Sequence, residues 1–363
     1  MLNGISIYPG LDNTLEENLE LIRKASQFGL KRIFTSLHIP ETNRQALKRE
    51  LLILLSAARR YQMEIISDIS PSTLELLGMQ EFTLSAFRMF GIETLRFDYG
   101  YGAEEIAKYS RNKQHIRIQL NASTMTGKFL TALMENEANF GNIDALHNFY
   151  PRPGTGLSEE TLVRKTVMLH KAGVQVGAFV PSHNRRRAPL FEGLPTMEAH
   201  RNISTDLAAR HLTALGIDSI FLSDSLPSDE ELLAVSQTRK NEVVLHAQLL
   251  TRDPVQKELL SHTFTSRIDE ARDAIRAQES RSMLNEPILP EPPLPRPSGA
   301  VTIDNETYPR YMGELEIIRR PQPADSRINV VAHISEDEAF LLDYITPGRR
   351  FSFEFVEEPR KIG

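Results

Sequence analysis

The sequence contains neither cysteine nor tryptophan. The first absence removes disulfides, thiolate chemistry and cysteine-rich metal sites. The second leaves tyrosines to stack on any sugar, with Tyr8, Tyr99, Tyr101 and Tyr150 as candidates. No apolar run reaches the roughly 18 residues of a membrane helix. Met1-Leu2-Asn3-Gly4 leads into a strand pattern rather than a basic and then apolar leader, so a cytoplasmic location is expected. Neither Gly-x-x-x-x-Gly-Lys-Ser/Thr nor a Gly-x-Gly-x-x-Gly after a strand occurs, so nucleotides have no support and no cofactor is expected. A net charge of -6 argues against nucleic acid and leaves a small molecule as the expected partner. A membrane partner is not expected, and a homodimer stays open.

What is present is ordinary globular composition, 40% hydrophobic and 25% charged, over 363 residues, more than one core usually spans. Short apolar runs alternate with helical periodicity. Strands are expected at Gly4 to Tyr8, Arg32 to His38, Glu64 to Ser70, Thr94 to Tyr99, Arg117 to Ala122, Ala145 to Tyr150, Gln175 to Val180 and Ser219 to Ser223. The run Val176-Gly177-Ala178-Phe179-Val180 is nearly continuous, as a parallel strand buried on both faces should be. Thr14 before Leu15-Glu16-Glu17 is a capping box, and Gly29, Gly173 and Gly216 are helix stops. A doubly wound open sheet fits simple alternation, but eight βα units in series favour an α/β fold closed into a (β/α)8 TIM barrel. Then six prolines fall between Pro287 and Pro297. Neither helix nor inner strand survives such a run. Beyond it the pattern turns to β, at Ala300 to Ile303, Gly313 to Ile318, Asn329 to Ile334 and Phe351 to Val356, with Val243 to Gln248 assigned to the same region. Asp269 to Arg281 has the pattern of a helix. The expected domains are 1-240, a catalytic barrel, and 241-363, a small β-rich domain.

Reactive groups in such a barrel lie at the C-terminal ends of the strands. There the sequence places Tyr8, Ser36, His38 with Glu41, Asp68, Asp98, Asn121 with Ser123, His147-Asn148 with Tyr150 and Arg152, His183 and Asp224. Asp68 and Asp98 close neighbouring strands. Two carboxylates on one rim suit glycosidic cleavage, one protonating the leaving oxygen while the other attacks or activates water. Glu41 and Glu198 are substitute acids, although each equally fits a helix cap or a partner for arginine. No close His-x-x-x-His pair joins His38, His147 and His183, so no metal is expected. The long connection after the seventh strand carries Arg185-Arg186-Arg187, which suits an anion; the plainer reading is a solvated basic face. Glu198, His200 and Arg201 are expected to open the next helix.

Four segments carry a resemblance. They are Gly4 to Tyr8, Phe34-Thr35-Ser36-Leu37-His38-Ile39-Pro40-Glu41, His147-Asn148-Phe149-Tyr150-Pro151-Arg152 with Thr155-Gly156-Leu157, and Gly193-Leu194-Pro195-Thr196 followed by Glu198-x-His200-Arg201. With Ile303-Asp304-Asn305, Tyr308, Arg310-Tyr311 and Gly313-Glu314-Leu315, they resemble the bacterial 6-phospho-N-acetylmuramidases along essentially the whole chain. The chain departs from that pattern at Ala188 and Pro309, where glycine is expected. The resemblance implies a cyclophilin-like C-terminal domain. It also implies hydrolysis of 6-phosphorylated MurNAc-GlcNAc disaccharides to MurNAc 6-phosphate during peptidoglycan recycling. The partner would then be a phosphorylated amino sugar, contacted by Arg152, Arg187 and, from the tail, Arg310. Two other readings are a phosphosugar lyase or isomerase, and a phosphosugar-binding protein without catalysis.

Overall fold

The computed structural model describes residues 1–36, 43–69, 82–97 and 100–356. Eight parallel strands close on themselves: β1 (Gly4–Ile7), β2 (Arg32–Ser36), β3 (Glu64–Ile69), β4 (Thr94–Phe97), β5 (Arg117–Asn121), β6 (Ile143–Leu146), β7 (Gln175–Val180) and β8 (Ser219–Leu222), with β8 pairing back onto β1. The expected TIM barrel is therefore the fold. Its helices begin as the sequence indicates. Thr14 accepts the Glu17 N–H while Glu17 caps the Thr14 N–H, opening α1 (Leu15–Gln27). Gly29, Gly173 and Gly216 all have positive φ where helices turn into strands.

Side chains alternate inward and outward along each strand, and the inward set forms three layers. At the bottom, Arg32 donates to Asp144 (2.8 Å) and Glu64 (2.9 Å), Gln119 donates to Asp144 (3.0 Å), and Thr94 donates to Glu64. The middle is apolar, built from Phe34, Ile66, Leu146, Phe179 and Phe221 beneath Tyr8. The top is polar again and holds Asp68 and Arg96. A second, larger apolar layer lies between barrel and helices, where Ile5, Ile33, Leu95, Leu120, Val176 and Ile220 face outward. Burying each such side chain contributes about 1.5–3 kcal/mol.

The chain divides into compact units at Lys240/Asn241. The second unit is a seven-stranded sheet of β9 (Glu242–Leu249), β10 (Phe264–Thr265), β11 (Ala274–Arg276), β12 (Ala300–Asp304), β13 (Leu315–Ile318), β14 (Ile328–Ile334) and β15 (Arg350–Phe355), ordered β10-β15-β9-β14-β12-β13-β11. A bridge between Ser266 and Ala277 joins its two edges and curls it. Two expectations are corrected. The segment from Asp269 to Arg281 is no helix but turns around β11 and a short 3-10 turn, because Ala274 to Arg276 pair with Ile318 to Glu316. The sixth barrel strand is Ile143–Leu146 rather than Ala145 to Tyr150, and the chain leaves the sheet before Pro151.

Gly4 lets β1 and β2 meet at the barrel's base. A Cβ there would fall 2.4 Å from the Arg32 carbonyl oxygen and 2.6 Å from the Phe221 ring. The neighbours are backbone and packed core, so relief is costly. We expect Gly4→Ala to destabilise the barrel by about 1–3 kcal/mol, read as a lower urea midpoint at unchanged slope; an unshifted midpoint refutes this account of strand closure.

Candidate active site at the barrel mouth

Parity sorts the residues expected at the mouth. Leu146 faces inward, so His147 faces outward and Asn148 inward. His147 is fully buried: its Nδ1 lies 3.1 Å from the Ser123 hydroxyl and its Nε2 3.2 Å from that of Thr166, on the helix Glu159–Lys171. Ser123 also accepts the Asn148 N–H at 2.9 Å, so both ring nitrogens are held in one buried hydroxyl network. Burial, aided by Lys165 and Arg96, lowers the imidazole pKa to about 3, which keeps it neutral. This corrects the sequence assignment of His147 to the substrate. It is a strut between strand and helix.

Asp68 does face the mouth, level with Ser36 on β2 and Arg96 on β4. The Arg96 guanidinium lies 2.6 Å from the Asp68 carboxylate and also donates to the Asn148 side chain. All three groups come from different strands or their ends. Arg96 was missed by sequence reasoning, although a single charge inside Thr-Leu-Arg-Phe was a usable signal, since an inward arginine in a barrel needs an anion. Asn121 ends β5 and caps the Ser123 N–H at 3.0 Å, while Ser36 is buried at the end of β2. Asp98, Tyr99, His38 and Glu41 lie outside the described residues.

The three consecutive arginines part company. Arg185 turns outward to Glu17 at 2.6 Å. Arg186 donates to the Arg201 carbonyl (3.1 Å) and to His183 Nδ1 (3.3 Å), and exposed His183 donates from Nε2 to Ile203 O at 2.7 Å. Arg187 turns in. It is 7% exposed, and its guanidinium stands 4.7 Å from the Tyr8 ring centre and 5.0 Å from that of Phe149. Its Nε has no hydrogen-bond partner, and among the described residues no carboxylate lies within ion-pair distance of it. Beneath it, Phe149, Phe34 and Phe179 pack edge to face at 5.1–6.1 Å, and Arg96 stands over the far member, Phe34, at 6.0 Å. Two guanidiniums thus share one aromatic floor. Asp68 neutralises the first, and among the described residues no carboxylate answers the second.

Backbone hydrogen bonds hold Arg187 there. The fully buried carboxylate of Asp224, just past β8, accepts the N–H groups of Ser182 (3.0 Å), Arg187 (2.9 Å) and Leu194 (3.3 Å), and Asp12 accepts that of Ala188 (2.9 Å). Burial raises the pKa of Asp224, and the three N–H groups oppose that rise. Tyr8 donates to Ser223 O at 2.6 Å, and burial pushes its phenol pKa upward, so it stays protonated.

Glu198 ties the mouth loops together. It accepts from Arg201 (2.7 and 2.8 Å) and from the N–H groups of Gly154 (2.9 Å) and Gly156 (2.7 Å), which lowers its pKa to about 2. Arg201 also reaches the carbonyls of Gly193 (2.9 Å) and Tyr150 (3.0 Å). With both oxygens engaged, Glu198 is a loop clamp rather than a free acid. It lies in a 3-10 turn, Glu198–His200, so the expected helix begins only at Thr205, capped by Ser204. Tyr150 is half-buried beside this clamp, and Arg152 is exposed on the clamped loop. Tyr101 is not at the mouth: it packs 4.6 Å from Phe97, in the layer under the helices. Arg310 is an exposed residue of the second unit, between β12 and β13.

Fold and mouth together define a TIM-barrel protein whose mouth has an aromatic floor beneath Arg187 and Arg96, followed by a second β-rich unit. Family models described as the N-terminal and C-terminal parts of 6-phospho-N-acetylmuramidase match residues 3–237 and 243–354. The chain belongs to that family. It is also similar to two solved structures. One is an uncharacterized B. cereus protein, at 30% identity, TM-score 0.83, covering 98% of this chain and 99% of that one. The other is a conserved Enterococcus faecalis protein with an unknown function, at 34% identity, TM-score 0.69, covering 99% and 97%. No curated protein matches the chain. Among the described residues, no helix is long and apolar enough to cross a membrane.

The clamp makes its own prediction. Removing the carboxylate in Glu198→Ala takes away charged acceptors worth about 1.5–3 kcal/mol each. The amides of Gly154 and Gly156 should then lose at least tenfold of their hydrogen-exchange protection while the barrel strands keep theirs. Equal protection in both proteins would show that the loop holds without the clamp.

Proposed function

We propose that the protein hydrolyses the glycosidic bond of 6-phosphorylated MurNAc-GlcNAc, releasing MurNAc 6-phosphate and GlcNAc in the cytoplasm during peptidoglycan recycling. Membership of a family named for 6-phospho-N-acetylmuramidase supports the reaction class. The observation that carries the substrate is Arg187, a buried guanidinium held over two aromatic rings with no anion to answer it among the described residues. A desolvated charge without a partner is costly, and a phosphate restores the balance through charge-assisted bonds. The apolar faces of Tyr8 and Phe149 beside it suit a sugar ring.

In this reading Asp68 is the anionic member of the carboxylate pair. Arg96 at 2.6 Å favours its charged form, which suits attack on the anomeric carbon, stabilisation of the positive charge developing there, or activation of water, rather than donation of a proton. The proton for the leaving oxygen then comes from the other acid, for which Asp98 and Glu41 are the sequence candidates. Asn121, Asn148 and Tyr150 supply neutral hydrogen-bonding groups for sugar hydroxyls.

Two variants test the assignment. Arg187→Met keeps the apolar stem and removes the charge, so kcat/KM for the phosphorylated disaccharide should fall about 10–10²-fold. Turnover of the unphosphorylated disaccharide should change little. Equal losses on both substrates would remove phosphate from Arg187. Asp68→Asn should lower kcat by about 10²–10⁴-fold, and near-normal turnover excludes Asp68. Reaction in heavy-oxygen water separates hydrolysis, which labels the new reducing end, from a lyase or isomerase, which does not.

A further inference from the structure

The second unit gathers a different set of charges. β12 and β13 run antiparallel with Thr302 opposite Glu316, and the Asp304 N–H donates to Glu314 O at 3.1 Å. Residues two apart share a face of a sheet, so Thr302, Asp304, Glu314 and Glu316 stand on one side. Arg276 of β11 lies directly opposite Glu316 on that side.

Most neighbouring charges are already answered. Arg267 (3.3 Å) and Arg281 (3.5 Å) pair with Glu314, Arg276 is drawn off to Asp269 at 2.9 Å, and Asp325 pairs with Arg327 at 2.7 Å. Four groups remain. Asp304 is 7% exposed and Glu316 half-buried, and among the described residues neither carboxylate accepts a hydrogen bond or forms an ion pair. Arg296, 6% exposed, acts electrostatically on both but reaches neither, and its Nε donates to Pro323 O at 3.0 Å. Thr302 is 0% exposed, and among the described residues its hydroxyl has no partner.

Like charges beside one another and a buried arginine that does not touch them cost stability unless something lies between. A cation alone would leave Arg296 unanswered, and an anion alone would leave two carboxylates. Asp304, Glu314 and Glu316 also do not bring three ligand atoms within 4.8 Å of one another, which leaves a divalent ion short of protein ligands. We infer that this face is a small-molecule site for a zwitterion of α-amino-acid type, whose ammonium group meets Asp304 and Glu316, whose carboxylate meets Arg296, and whose remaining donor reaches the Thr302 hydroxyl. The inference stands apart from the barrel reaction and does not depend on it.

The same burial sets a pH dependence. Desolvation first, then Glu316 and Glu314, pushes the Asp304 carboxyl up to about 7. A carboxyl raised on folding binds its proton more tightly in the folded state, so stability falls as pH rises from the ordinary carboxylate range towards 7. Asp304→Asn removes that penalty and should fold at least as well as the parent at pH 8. An ammonium group prefers the ionised carboxylate, so binding should strengthen as pH rises through about 7.

Calorimetric titration of the full chain with free α-amino acids of both enantiomers, their N-acetyl derivatives and their methyl esters tests this. The expected result is saturable binding of at least one free amino acid at pH 8. Blocking either charged end should weaken it tenfold or more, and so should Asp304→Asn or Arg296→Gln, with disaccharide turnover unchanged. The inference is overturned if no free amino acid binds, if blocked and free forms bind alike, or if Asp304→Asn binds as the parent does.

Discussion

Alternation of side chains along eight closed strands is the constraint from which the rest of the barrel unit follows. In a barrel each residue is committed either to the interior or to the helix layer, and a shift by one exchanges the two. Leu146 faces inward, which sends His147 to Thr166 and aims Asn148 at Arg96. Phe97 goes outward into the aromatic group with Tyr101, and Arg96 goes inward to Asp68. The interior therefore carries charge at both ends and aromatic rings between. At the base the charged groups are all in contact, with Arg32 shared by Glu64 and Asp144. At the mouth, among the described residues, Arg96 is answered by Asp68 and Arg187 is not answered, and that asymmetry distinguishes the two ends of the barrel.

The cost of that asymmetry explains the mouth loops. A buried guanidinium with no counterion tends to swing into water, so its backbone has to be held from several directions. The loop from 181 to 194 is held by Asp224 through three N–H groups and by Asp12 through one. The facing loop, through Gly154 and Gly156, is held by Glu198, and Arg201 joins the two through the carbonyls of Tyr150 and Gly193. Four charged residues, Asp224, Asp12, Glu198 and Arg201, thus position main chain around Arg187.

The barrel was readable because every unit repeats the same local signals: a capping residue, an amphipathic stretch, a glycine stop and a short apolar strand. The boundary of β6 was misplaced because Ala145 to Tyr150 looks equally strand-like, and only pairing with β7 ends it at Leu146. The helix expected over Asp269 to Arg281 failed because local pattern cannot register that Ala274 to Arg276 find a partner strand some forty residues on. At the mouth, residue types were legible and roles were not. Arginines 185, 186 and 187 are identical in sequence, and only the loop's path gives one to Glu17, one to the Arg201 carbonyl and one to the aromatic floor. Glu198 looked like a spare acid because its partners, Gly154 and Gly156, lie more than forty residues away.

The two units solve the problem of buried charge differently. In the barrel, two carboxylates at strand ends are tied to a cation or to main-chain N–H groups, Asp68 to Arg96 and Asp224 to the loop amides. In the second unit, the pairings around one sheet face stop short: Arg276, Arg267 and Arg327 each find an acid, while among the described residues Asp304 and Glu316 form no ion pair. Sheet geometry makes this arrangement hard to relax. Directly opposed residues on adjacent strands stand about 5 Å apart whatever their charge, so Asp304 cannot leave Glu314, nor Glu316 leave Thr302, without breaking the ladder that Val301 and Ile303 share with Ile317 and Leu315. The apolar face of the same strands, fully buried at all four of those positions, holds the charges in place. A polar constellation that burial imposes and local rearrangement cannot relieve is stabilised by matching from outside the chain, the same logic that Arg187 expresses at the barrel mouth.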